Sequence, residues 1–107
     1  CEAVALCRAE GISDDTFFQA LGLNASHSGV ATLKEPKLRT ADYAPQFSVK
    51  HMLKDLRLAQ ETAAADGLEL AQTERLLAQY EKAAAAGWNE DDFIGLIRLL
   101  TPSPPSS

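Results

Sequence analysis

The stretch from Phe47 to Ala59, FSVKHMLKDLRLA, constrains the fold more than any other part of the chain. Val49, Met52, Leu53, Leu56 and Ala59 recur at the i, i+3, i+4, i+7 spacing that gathers them on one face of an α-helix. No stretch of the chain alternates apolar and polar residues as a strand does. The expectation is therefore an all-α fold, a bundle of about six helices.

The flank of the same helix carries Lys50, Lys54 and Arg57, again at helical spacing. Like charges four apart repel by about 0.2–0.5 kcal/mol on an isolated helix. Lys50 also lies in the first turn, where the helix dipole favours anions. An anionic ligand above this flank would explain why positive charge gathers against local physics. The competing reading is a solvated surface on which Arg57 pairs with Glu61 one turn later.

Glycines, prolines and capping residues divide the rest. A first helix, already under way over Cys1–Cys7, ends at Gly11, placed for a left-handed C-terminal cap. Ser13 caps a second helix with Asp14 and Asp15 in its first turn and Phe17, Phe18 and Leu21 as core contacts, and Gly22 ends it. Ser26 or Ser28 caps a third carrying Val30 and Leu33, which Pro36 must kink or restart. Tyr43-Ala44-Pro45 reads as a connector. The long fourth helix opens after Ser48 and runs to about Asp66, with Gly67 as terminator. A fifth places Leu76, Leu77, Tyr80, Ala83 and Ala84 on one face and ends before Gly87. Asn89 caps a sixth with Glu90, Asp91 and Asp92 in its first turn and Phe93, Leu96, Ile97 and Leu100 buried. Pro102 stops it. Residues 101–107 form a Pro/Ser tail with nothing to pack, hence expected to be disordered. The alanine runs Ala63–Ala65 and Ala83–Ala86 suit close helix packing.

With 107 residues the chain fits one domain with a modest core. Ten basic against 15 acidic side chains argue against general nucleic-acid binding. No apolar run approaches the roughly 18–20 residues of a membrane span. Cys1 and Cys7 would lie about 9 Å apart along a helix, too far for a disulfide. Two free thiols fit a reducing cytoplasm. Neither has a partner at metal-ligand or nucleophile spacing, so no metal site is expected. The chain starts without Met and already in helical pattern, which reads as a piece of a longer protein.

F-x-V-K-H-M-x-K-D-L-R-L-A resembles a segment shared by the β-hydroxyacid dehydrogenases, relatives of 3-hydroxyisobutyrate dehydrogenase and 6-phosphogluconate dehydrogenase. K-H-M-x-K-D-L-R-L-A is most similar to the glyoxylate and succinic semialdehyde reductase branch. Glu2, Ala3, Leu6 and Gly11 look like the end of the long helix that joins the two domains of such enzymes. The likeness covers residues 1–100 and implies the C-terminal helical domain of a two-domain dehydrogenase. It further implies a Rossmann domain upstream, a catalytic Lys upstream of Cys1, and no catalytic residue within this chain.

By the same resemblance Lys54 reaches toward NADP or NAD where the domains meet. Phe47 and Asp55 border the pocket of a small acidic aldehyde or keto acid, and homodimers form through the helical domains. Read from the residues alone, Phe47 can equally be a core ring at the start of the helix, and Asp55 an intrahelical partner of His51. Leu68-Glu69-Leu70-Ala71 departs from the family pattern, which often carries Pro before the next helix. The rival function is a non-enzymatic helical module for dimerisation or partner binding.

Overall fold

Helix-ending glycines and serine caps set most of the element boundaries. The computed structural model describes residues 1–100 and contains α1 (Glu2–Ala9), α2 (Asp14–Gly22), α3 (Gly29–Thr40), α4 (Val49–Ala65), α5 (Ala71–Ala85) and a closing 3₁₀ helix (Phe93–Leu100). Among these residues there is no strand, only an isolated antiparallel bridge between Ser48 and Asp92. The tail expected from residue 101 lies outside the described residues. The chain divides into two compact units, one formed by residues 1–42 with the 3₁₀ helix from Ile97 onward, the other by Tyr43–Leu96.

In the first unit α1 and α2 pack together, with Val4 and Phe18 buried and Phe17 edge-on to Phe18 at 5.1 Å. Ser13 caps α2 as its sequence indicates, its hydroxyl accepting from Thr16 N–H at 3.1 Å. Arg8 grips Asp14 with two bonds of 2.9 and 2.7 Å and donates to the Leu38 carbonyl at 2.9 Å. That ties α1 to α2 and α3. Arg39 reaches Asp15 at 2.6 Å and Glu35 at 3.1 Å, and its guanidinium lies 5.0 Å from the centre of the Phe18 ring.

Ser28, not Ser26, caps α3 through Ala31 N–H. One helix runs through Pro36 rather than restarting there. The missing proline N–H costs a single ladder bond, and the helix is secured at both ends. At its C-terminus Ala41 takes the left-handed conformation (φ 52°) so that Asp42 N–H can bond the Lys37 carbonyl at 2.9 Å. The packing of α3 reverses the usual order of apolar and charged residues. Val30 and Leu33 are more than half exposed, whereas Lys34 and Lys37 are buried. Lysine stems are apolar and can lie inside while the ammonium finds a partner, and Lys37 meets Asp42 at 3.5 Å.

The second unit is built on the α4–α5 hairpin. Val49, Leu53 and Ala63 of α4 and Tyr80 and Ala83 of α5 are buried, with Ile94 and Leu96 of the 3₁₀ helix. Ala59, expected on the buried face, is exposed, and its neighbour Gln60 is half-buried instead. At about 100° per residue, Ala59 has turned about 80° away from the direction of Val49, and Gln60 only about 20°. Gly67 ends α4 with φ 72°, which frees Leu68 N–H to bond the Ala63 carbonyl at 2.8 Å and Gly67 N–H to bond Ala64 at 3.1 Å. The loop that departs from the family pattern is short: α5 starts at Ala71, and its N-cap, Leu70, offers no side-chain cap.

The sixth helix also differs from expectation. It is 3₁₀ and starts at Phe93, so Glu90 and Asp91 precede it and Asn89 does not cap it. The stretch is bonded to the start of α4 instead of to itself. Asn89 and Asp91 turn their C=O groups to the N–H groups of Lys50 at 3.1 Å and Val49 at 2.8 Å, and Phe93 N–H, which a helix capped at Asn89 would give to the Asn89 carbonyl, goes to the Phe47 carbonyl at 2.9 Å. Asp92 takes the capping role, its Oδ2 accepting from Ile94 N–H at 3.2 Å.

Candidate functional site on the α4 face

The start of α4 has its orphan N–H groups satisfied from two directions. Ser48 Oγ accepts from His51 N–H at 3.3 Å, and the 89–91 segment supplies carbonyls for Val49 and Lys50. The helix is therefore held firmly where Phe47 enters it. Phe47 is 37 % exposed, its ring 5.7 Å from that of His51 and 6.3 Å from that of Phe93. Aromatic neighbours fix its orientation without covering it, so it is not a buried core ring.

Further along, Lys54 and Asp55 both face outward and are exposed. Among the described residues neither makes a hydrogen bond or an ion pair. Their neighbours do. Lys50 lies 4.0 Å from Glu90, and Arg57 lies 3.9 Å from Glu81 on α5 rather than on Glu61. His51 Nδ1 lies 3.0 Å from Ser48 Oγ, so the intrahelical His51–Asp55 pair does not form. Lys54 sits about 7–8 Å along the helix axis from Val49. One turn beyond Lys54 and Asp55, Leu58 and Ala59 open a groove of about 420 Å³ that continues to Ala63, Leu68 and Leu70.

Sequence reasoning missed Asp92. It is fully buried, and its Oδ1 accepts from Gln46 N–H at 2.9 Å and Phe47 N–H at 3.1 Å. The residues before Phe93 read as an ordinary acidic first turn, and nothing local in them points to a residue 45 positions earlier. Nearby, burial and then the charge of Asp92 push the Tyr80 phenol up to about 12, and its hydroxyl donates to the Phe93 carbonyl at 3.1 Å.

Among the described residues no cluster of His, Cys, Asp or Glu could hold a metal, and no helix is long and apolar enough to cross a membrane. Cys1 and Cys7 are both free thiols.

The family described as NAD-binding of NADP-dependent 3-hydroxyisobutyrate dehydrogenase matches residues 1–100, and the chain belongs to it. Glyoxylate/succinic semialdehyde reductase 1 of Arabidopsis thaliana is 28% identical over 92% of this chain and 34% of its own length. An uncharacterized oxidoreductase of Synechocystis is 44% identical over 58% of this chain and 21% of its own. The crystal structure of 3-hydroxyisobutyrate dehydrogenase from Salmonella typhimurium superposes with a TM-score of 0.85 at 28% identity, covering 92% of this chain and 34% of that one. The chain thus corresponds to about a third or less of these oxidoreductases.

Proposed function

We propose that this chain is the C-terminal helical domain of a dehydrogenase that transfers a hydride between NADP or NAD and a small acidic aldehyde or keto acid. The domain lines the site and does not carry the reacting base. Lys54 meets the anionic cofactor, and an ammonium suits that task because it can follow a phosphate or carboxamide as a flexible point charge. Asp55 orients polar groups of the substrate, and Phe47 excludes water from the pocket. A Rossmann domain of the same protein completes the cleft, and its lysine supplies the proton to the developing alkoxide. Helical domains of two copies pair in a homodimer, in a reducing cytoplasm that keeps both thiols free.

The observation that carries this reading is the contrast along one helix: Lys54 and Asp55 are exposed and uncommitted, while Lys50, His51 and Arg57 on either side are engaged. In the dehydrogenase that contains this chain, Lys54→Ala should raise the KM for the nicotinamide cofactor about tenfold, the cost of one charge-assisted hydrogen bond. Asp55→Ala should raise the KM for the aldehyde instead. Unchanged constants in both variants would remove this face from the site.

A further inference from the structure

Phe47 borders a pocket only if its ring is held at one height and angle, and the residue that sets both is far away in sequence. Asp92 Oδ1 receives two successive backbone N–H groups, those of Gln46 and Phe47. Its own N–H bonds the Tyr43 carbonyl at 2.8 Å, and the next residue, Phe93, returns its N–H to the Phe47 carbonyl at 2.9 Å. The connector before α4 is thus held at Tyr43, Gln46 and Phe47 by residues 92 and 93. Oδ2 meanwhile caps the 3₁₀ helix through Ile94 N–H, which fixes the Phe93 ring against which Phe47 stands edge-on.

Burying a carboxylate is costly unless its lone pairs are satisfied, and a helix cap alone would use one oxygen of a residue that could stay at the surface. Asp92 has no exposed area, and both its oxygens accept from backbone N–H groups. Bonds from backbone N–H groups to a carboxylate are roughly twice as strong as neutral ones, and three of them converging on one buried side chain hold the Gln46–Phe47 backbone, and with it the aromatic ring, in a defined position.

We infer that Asp92 is a positioning residue for the substrate pocket, acting through the backbone of Phe47 rather than by touching substrate. The inference rests on the role proposed above for Phe47. An asparagine keeps one acceptor oxygen for Gln46 and Phe47 but turns an amide donor toward Ile94 N–H, so it should preserve part of the arrangement.

The test is a double-mutant cycle on the full-length enzyme, with KM and kcat measured beside the thermal midpoint. Phe47→Ala should raise the KM for the aldehyde about tenfold, Asp92→Asn about threefold and Asp92→Ala about tenfold, each with kcat within about twofold. Phe47→Ala combined with Asp92→Asn should be no worse than Phe47→Ala alone, since the aspartate acts through the ring. Where Asp92→Ala does not fold, the asparagine variant carries the whole cycle. A lowered thermal midpoint with unchanged KM in Asp92→Asn, or effects that simply multiply, would make Asp92 a structural cap and overturn the inference while leaving Phe47 in the pocket. Unchanged KM in Phe47→Ala would instead overturn the reading of Phe47, and the positioning role with it.

Discussion

Helices α3 and α4 both begin at a serine cap and both carry lysines, yet they treat them in opposite ways. In α4 the aliphatic residues Val49 and Leu53 are buried and Lys50 and Lys54 stand in solvent. In α3 Lys34 and Lys37 are buried while Val30 and Leu33 are left outside. A strong apolar period leaves a helix one way to face its core. Where the period is weak, packing and ion pairing decide, and a lysine stem serves as filler. The contrast extends to the units that hold them. The unit of α1–α3 is tied by arginine–carboxylate pairs among exposed side chains, that of α4 and α5 by aliphatic burial and buried polar groups such as Asp92 and Tyr80.

The largest expected difference follows from burial. Leu53→Ala should cost about 3 kcal/mol in denaturant unfolding, the usual penalty for emptying a buried leucine site. Leu33→Ala, on a side chain 53% exposed, should stay within about 0.5 kcal/mol. Comparable losses at the two sites would mean that α3 has a hidden apolar contact and the contrast is false.

The next difference lies at alkaline pH. Tyr80 titrates at about 12 in the folded protein against an ordinary value of 10.0, because burial and the Asp92 charge disfavour the phenolate. Its folded value is raised, so the stabilisation is complete below about pH 10 and is lost as pH rises toward about 12. The loss should reach about 2 kcal/mol, and Tyr80→Phe should flatten that slope. A slope that persists in the phenylalanine variant would move the alkaline sensitivity elsewhere.

The smallest effect is expected at acid pH, in the other unit. The Arg8 bond holds the Asp14 carboxyl below its ordinary value. Its folded value is depressed, so the stabilisation is present above about pH 4 and is lost as pH falls through the folded value. The pair is solvent-screened, and Asp14→Asn should therefore cost only about 0.5 kcal/mol at neutral pH. A loss several times larger, in a urea titration at pH 7, would show that the Arg8 contacts to Asp14 and to the Leu38 carbonyl act as one cooperative network.

Much of the fold was legible because it is written locally. Ser13, Ser28 and Ser48 announce helix starts through their hydroxyls, and Gly11, Gly67 and Gly87 announce helix ends through a conformation that other residues reach at a cost. The candidate site was legible in part. The helical period alone places Lys54 and Asp55 beside each other and off the apolar face. Their freedom from partners was not legible, because Arg57 finds Glu81 across the hairpin and His51 finds Ser48, choices that depend on what the folded chain brings within reach.

By itself, then, the sequence determined the helical character of the described residues, the ends of their main helices and the face of α4 turned outward, all properties of residues within a turn or two of one another. Tertiary structure alone decided that two lysines of α3 go inside, that the closing helix is 3₁₀ and starts at Phe93, and that Asp92 holds Phe47. Those outcomes depend on backbone carbonyls and N–H groups that must find partners once water is excluded, and such partners can lie anywhere along the chain.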